Sequence, residues 1–272
     1  MNFTKTHSFG NDFIIIDAKN LPRGKKVRTL CKKLCDRHTG IGADGCLIFT
    51  RSNSARVSLL IVNADGTTAA MCGNGVRCLS QYLFQKKIIV SDHFYIDTAG
   101  GTIDIQLILR NQKIAAIKII LPINILEKLG IISNYPMIIK DRSINLAFLN
   151  VGVPHTVIFA DILDPSLLIE LAAAIMESKI FSAEGVNVNL VKVINKNRLE
   201  VLTFERGVGL TKACGTGAIA ASIVAYVTKR TSNKIDVSFE LGTVTINLHE
   251  SGRISMLGPP TNFICEGHTN IV

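Results

Sequence analysis

Two short motifs concentrate the chemistry of this sequence. Cys72-Gly73-Asn74-Gly75 and Cys214-Gly215-Thr216-Gly217 share the pattern Cys-Gly-x-Gly, and each is followed by a helical run, Val76–Phe84 and Ala218–Tyr226. A free thiol titrates near pH ~8.5, and the free N–H groups and dipole of a helix N-terminus favour its thiolate. Both cysteines are therefore expected to be activated. The glycines let backbone N–H groups close on a ligand, so each helix start should form an anion nest suited to a carboxylate. A cysteine on each side of one carbon could take a proton from one face and return a proton to the other. That sequence of transfers inverts the carbon.

The surrounding chain supplies the symmetry such a pair needs. A shift of 142 residues lays the first motif on the second. The same shift lays Arg56–Asn63 on Arg198–Glu205, two strand-like runs that each end in a polar residue nine positions before the cysteine. It also lays Gly10–Ile16 on Gly152–Ile158, and with a one-residue slip Gly101–Leu107 on Gly242–Leu248. Ordered matches at one offset indicate an internal duplication. Helices are expected near Val27–Arg37 and Ser166–Ser178, which also correspond. The helix after Cys214 is apolar almost all round and should be buried at the centre of its domain.

The expected fold is thus α/β (α+β): two pseudo-symmetric domains, each a barrel-like antiparallel or mixed sheet wrapped on a central helix, with the active site in the cleft between them. The first domain is expected over 1–120 with 262–272 returning to it, and the second over 121–261. The connecting linker is placed around Pro122–Arg142.

Composition limits the remaining options. Net charge is +9, but the basic residues come in scattered pairs such as Lys25-Lys26 and Lys86-Lys87, with no basic stripe interleaved with aromatics. Four tyrosines and no tryptophan offer little for stacking bases, so nucleic-acid binding is not expected. A basic protein holding a small anionic substrate fits better. No apolar run reaches the ~20 residues that span a bilayer, and the first residues lack a signal peptide's apolar core, so a cytoplasmic protein with no membrane association is expected. The seven cysteines are odd in number and contain no Cys-x-x-Cys, and the six histidines complete no zinc spacing, so neither a disulfide framework nor a metal site is expected. Cys31, Cys35, Cys46, Cys78 and Cys265 are read as core residues.

These residues resemble the diaminopimelate epimerase family over nearly the whole chain. The resemblance rests on His7–Phe13, Asn63-Ala64-Asp65-Gly66, Met71–Cys78, Glu205-Arg206-Gly207 and Ala213–Gly217. It implies interconversion of LL- and meso-diaminopimelate, without pyridoxal or any other cofactor, in lysine and peptidoglycan precursor synthesis. It further implies that Cys214 removes the α-proton of the LL substrate while Cys72 donates on the opposite face, assisted by His155 and Glu205. Substrate binding would fall to Asn11, Asn63, Asn187, Glu205 and Arg206, with Gly73, Asn74, Gly215 and Thr216 at the α-carboxylate. A homodimer is implied as well.

Two positions depart from the pattern common in the family. Val153 stands where many members carry Asn, and Gly45 where many carry Gln. Each change removes a side-chain amide from the expected pocket. A related racemase of another amino acid, such as histidine or hydroxyproline, is therefore an alternative. Arg206 argues for a second carboxylate on the substrate, which its fork can grip bidentately. A non-enzymatic amino-acid-binding module on the same fold is a further alternative, and retention of both cysteines argues against it.

Overall fold

The structure is a computed structural model that describes residues 1–22, 26–52, 55–124, 130–140, 142–178, 180 and 185–271. The chain divides into two compact units, Met1–Pro122 with Gly258–Val272, and Ile123–Leu257.

The first unit opens with β1 (Asn2–Ser8), β2 (Asn11–Asp17), α1 (Val27–Cys35), β3 (Gly45–Arg51), β4 (Arg56–Asn63) and a two-residue β5 (Thr68–Ala69). It continues through α2 (Gly73–Gln85), β6 (His93–Thr98), β7 (Gly101–Arg110) and β8 (Lys113–Asn124). The second unit repeats the series as β9 (Ile132–Ile139), β10 (Arg142–Asn150), β11 (Pro154–Phe159), α3 (Pro165–Ser178), β12 (Asn187–Asn195), β13 (Arg198–Glu205) and β14 (Gly209–Thr211). Then follow α4 (Gly215–Val227), β15 (Lys234–Phe239), β16 (Gly242–Leu248) and β17 (Arg253–Gly258). A last strand, β18 (Asn262–His268), pairs antiparallel with β1 and so belongs to the first unit.

Both units have one strand order. In the first it is β18-β1-β2-β3-β4-β6-β7-β8, with parallel pairing only at β2–β3 and β4–β6. In the second it is β9-β10-β11-β12-β13-β15-β16-β17, parallel at β11–β12 and β13–β15. The register is kept too: Phe13 pairs with Gly45 in one unit, and His155 with Asn187 in the other. The fold is thus mixed α/β and dominated by sheet.

Residue pattern explains the layering. β2 is buried on both faces and reads as the continuous run Phe13-Ile14-Ile15-Ile16. Ile14 and Ile16 meet Leu30, Cys31, Leu34 and Cys35 of α1 on one side. In the second unit Ile158, Val188 and Leu190 meet Leu168, Leu171 and Ile175 of α3 in the same way. The opposite faces hold the central helices. α4, a run of Ala, Ile, Ser and Val, is buried from Gly217 to Ala225 and touches β10, β11, β12, β13, β15 and β16.

α2 is equally buried, although its sequence is more polar. Its polar side chains are partly satisfied by the returning C-terminal segment; Arg77 Nε and Nη1 have no hydrogen-bond partner among the described residues. Gln81 Nε2 donates to the Thr261 carbonyl and Gln81 Oε1 accepts from the Thr261 N–H, both at 2.8 Å. The Arg77 guanidinium donates to the Pro259 carbonyl at 2.6 Å and lies over the Phe9 ring. Two expectations need correction. Part of the segment assigned to a linker, Ile132–Ile139, is the strand β9, paired with β10 through register Met137↔Ile144; residues 125–129 and 141 lie outside the described residues. Cys265 is exposed rather than in the core, because β18 lies at the end of its sheet and presents most of its residues to solvent. Among the described residues, no helix is long and apolar enough to cross a membrane.

Candidate active site

Each motif cysteine is the N-cap of its unit's central helix. Cys72 caps α2 at φ −145°, ψ 111°, and its Sγ accepts from the Gly75 N–H at 3.4 Å. Cys214 caps α4 at φ −125°, ψ 113°, and its Sγ accepts from the Gly217 N–H, also at 3.4 Å. Ser, Thr, Asp and Asn are the usual N-caps, and losing one costs about 1 kcal/mol. A sulfur acceptor at both caps therefore concedes helix stability to place a thiol at a positive helix end.

Around Cys72 the first unit arranges Gly73 and Asn74 in the first turn of α2, both buried. Ser8 Oγ donates to Asn74 Oδ1 at 3.1 Å. Asn11 opens β2, and its Oδ1 is buried with no hydrogen-bond partner among the described residues. Asn63 ends β4, exposed, donating Nδ2 to Thr67 Oγ1 at 3.0 Å. A reciprocal clamp fixes the starts of β2 and β3. The Asp44 N–H donates to Asp12 Oδ1 at 2.9 Å and the Asp12 N–H to Asp44 Oδ2 at 3.0 Å, with Arg37 bridging both carboxylates. Burial raises the Asp44 pKa, and the neighbouring Asp12 adds to it. Burial would raise Asp12 as well, but hydrogen bonds from Arg37 and Lys5 outweigh it and hold that carboxyl below its usual range.

Around Cys214 the second unit is more polar. Thr216 Oγ1 lies 3.4 Å from the thiol, and Gly215 sits beside it in the first turn of α4. Glu205 ends β13. Its Oε1 accepts from Thr211 Oγ1 at 3.0 Å, and its carboxylate is hydrogen-bonded to the Cys214 thiol. The expectation of a thiolate at this helix end is overturned. Burial first, then the negative charge of Glu205, push the Cys214 thiol well above its ordinary pKa, and the Thr216 and Gly217 donors only partly offset them. At this site desolvation wins over the helix terminus, so Cys214 rests as a protonated thiol beside a carboxylate.

Asn187 opens β12 and is buried; its Oδ1 accepts from the Arg206 N–H at 3.0 Å, which sets the turn that presents the Arg206 side chain. His155 lies in β11, fully buried. Its Nδ1 is 3.0 Å from Asn189 Nδ2, while Nε2 has no partner among the described residues. Burial pushes its pKa down to about 3, so the ring is neutral.

A family model described as Diaminopimelate epimerase matches residues 3–118 and 147–263. The chain belongs to the diaminopimelate epimerase family. The diaminopimelate epimerase of Caldanaerobacter subterraneus subsp. tengcongensis is 39% identical over 266 residues, covering 95% of this chain and 96% of the relative. That of Clostridium perfringens is 35% identical over 274 residues, 98% of each chain. Among solved structures, a probable proline racemase from Agrobacterium radiobacter superposes with TM-score 0.75 at 13% identity, over 100% of this chain and 93% of that one. A hydroxyproline epimerase from Agrobacterium vitis gives TM-score 0.73 at 13% identity, over 98% and 91%. These two share the fold.

The residues that the resemblance singled out, and the positions opposite them, fall at equivalent places in the two units. Asn11 and Val153 stand at the entries to β2 and β11, Gly45 and Asn187 open β3 and β12, and Asn63 and Glu205 close β4 and β13. At Gly45 the strands run close: a Cβ there would lie 2.8 Å from the Val62 carbonyl oxygen. A larger side chain would require a wider β3–β4 spacing at that point. Sequence reasoning missed Asn189 and Thr203, which hold His155. Extending the 142-residue shift would have found them, because it lays them on apolar Leu47 and Ile61.

Proposed function

We propose that this chain is a diaminopimelate epimerase that interconverts LL- and meso-2,6-diaminopimelate by two-base proton transfer between Cys72 and Cys214. The observation that carries this reading is the repeated cap: one thiol at the start of a buried helix in each of two units of identical topology. In the LL direction the Cys214 thiol first yields its proton to the Glu205 carboxylate. The resulting thiolate removes the substrate's α-proton, and the Cys72 thiol delivers a proton to the other face. In the meso direction the steps run in reverse: the Cys72 thiolate removes the α-proton, the Cys214 thiol donates to the other face, and Glu205 returns its proton to Cys214. Negative charge that develops on the α-carboxylate is met by the N–H groups around Gly73-Asn74 and Gly215-Thr216, donors already in place before the reaction.

The distal amino-acid end is read by Asn11, Asn63, Asn187, Glu205 and Arg206. Arg206 takes the second carboxylate, and the buried Asn11 Oδ1, without a partner among the described residues, suits an ammonium donor. No cofactor is used in this scheme. A homodimer and a cytoplasmic location complete the proposal, by analogy with the family.

The test is α-proton exchange in deuterated water, followed by NMR under reducing conditions, with LL-diaminopimelate, L-histidine and trans-4-hydroxy-L-proline in separate arms. Exchange confined to diaminopimelate is expected. Exchange of another substrate alone would move the assignment to a related racemase, and no exchange with any would refute the enzymatic reading. Cys72→Ala and Cys214→Ala should each abolish epimerisation, and full activity in either would refute the two-base scheme.

A further inference from the structure

The second unit contains a buried polar triad where the first unit is apolar. His155, Asn189 and Thr203 lie on adjacent strands β11, β12 and β13, and all three are at most 2% exposed. The same register positions in the first unit hold Phe13, Leu47 and Ile61, all buried and apolar. Burying polar groups is unfavourable unless each is paired. The first unit shows that this fold closes without them, so the triad answers to something other than packing.

Its hydrogen bonds leave one arrangement. Asn189 Nδ2 lies 2.9 Å from the Thr156 carbonyl oxygen, which can only accept, so that atom is the amide nitrogen. The remaining amide hydrogen points to His155 Nδ1 at 3.0 Å, so Nδ1 must offer a lone pair. Thr203 Oγ1 donates to Asn189 Oδ1 at 3.0 Å and closes the network. Gly217, the last residue of the Cys-Gly-Thr-Gly motif, leaves room for it: a Cβ there would lie 2.5 Å from Asn189 Oδ1 and 2.9 Å from Thr203 Oγ1. The neutral imidazole therefore carries its hydrogen on Nε2, and that N–H is buried with no partner among the described residues.

We infer that Asn189, pinned by Thr203, is a positioning residue that fixes His155 as an Nε2–H hydrogen-bond donor rather than a base. Such a donor is suited to stabilising a thiolate or the substrate's carboxylate as negative charge forms. The inference rests on the proposed epimerase reading for what His155 acts on, but not for its tautomer.

The experiment is 15N NMR of histidine-labelled protein, combined with kinetics of Asn189→Leu and Asn189→Asp. Leu is the first unit's own residue at this position, so the variant should fold. In the unmodified protein His155 is expected to show its hydrogen on Nε2 and no titration between pH 5.5 and 9. Asn189→Leu should lower kcat roughly ten- to hundredfold with KM changed by less than about threefold. Asn189→Asp should move the hydrogen to Nδ1 and add a histidine limb to the pH–rate profile. A hydrogen on Nδ1 in the unmodified protein, or titration of His155 in that range, would overturn the inference whatever the variants do. Unchanged kcat in Asn189→Leu would overturn the positioning role. Absence of diaminopimelate turnover in the unmodified protein would instead refute the proposed function and leave the tautomer result to be judged alone.

Discussion

The two Cys-Gly-x-Gly motifs look interchangeable, yet their last glycines should respond very differently to one added methyl group. Gly75→Ala and Gly217→Ala change the same register position in the first turns of α2 and α4. Alanine is favoured over glycine in a helix by up to about 1 kcal/mol, and that gain is common to both. At Gly75 the closest atom to a new Cβ is Leu47 Cδ2 at 2.9 Å, the end of a rotatable side chain, with Cys72 Cβ and Phe13 Cζ at 3.6 Å. A small rotation of Leu47 relieves this, at about 0.5–1 kcal/mol, so the net change should lie near zero. At Gly217 the Cβ meets Asn189 Oδ1 at 2.5 Å, Thr203 Oγ1 at 2.9 Å and Cys214 Cβ at 3.2 Å. Asn189 cannot yield without losing bonds to Thr156, His155 or Thr203. Overpacking of about 1–3 kcal/mol and one or two disrupted hydrogen bonds at about 1 kcal/mol each give a net loss of roughly 2–3 kcal/mol after the helix gain. Urea unfolding of the two variants measures the difference, with the midpoint for Gly217→Ala lowered and that for Gly75→Ala nearly unchanged. Equal losses at the two positions would refute the claim that the polar triad is what Gly217 accommodates.

Other consequences concern proton binding. His155 has a folded pKa of about 3 against an ordinary 6.5, so below pH 6.5 the unfolded chain binds a proton that the folded chain does not. Stability from this group is complete above pH 6.5 and lost as pH falls toward 3, by up to roughly 4–5 kcal/mol. Urea midpoints from pH 7 to 4 should fall less steeply in His155→Phe, and an unchanged slope would contradict a buried neutral ring. Cys214 has the opposite sign: its folded pKa is raised, so its contribution is present below the unfolded thiol value and lost as pH rises above it. Glu205→Gln removes the negative charge beside this thiol and should shift alkylation of Cys214 by iodoacetamide to lower pH, read by mass spectrometry of the Cys214 peptide. A shift to higher pH would show that Glu205 does not hold the thiol protonated.

The duplication made most of the fold legible. Strand ends, motif glycines and cap cysteines recur at one offset because both units use one strand order and one register. What escaped was polar burial and irregular edges. α2 reads as half-polar because Arg77 and Gln81 are buried against backbone partners, Pro259 and Thr261, that only the returning C-terminal segment supplies, while Ser80 bonds back to the Val76 carbonyl within the helix. β9 reads as a linker because it carries Pro136 and a positive φ at Asn134, which a strand at the end of a sheet tolerates. The Cys214 thiolate was expected from its helix end alone. The sequence points to a buried helix after Cys214 and to Glu205 beside it, but not to how far burial and that carboxylate together outweigh the helix end.

Equivalent positions with unequal residues are where the two units divide the work. The cysteine caps are duplicated, as the proposed two-base scheme requires. The rest is not. Opposite the entry Asn11 stands Val153, opposite Gly45 stands Asn187, and opposite Asn63 stands Glu205. A side-chain amide is thus supplied from only one unit at the first two positions, and a carboxylate at only one of the third pair. In the proposed scheme this imbalance separates a reacting amino-acid end from a distal one, although the two ends of LL-diaminopimelate are themselves equivalent. The His155–Asn189–Thr203 triad extends the imbalance into the core. It gives the Cys214 unit both a carboxylate that can take a proton and a ring held to donate one. The Cys72 unit has a phenyl ring at the position of His155 and an asparagine at that of Glu205.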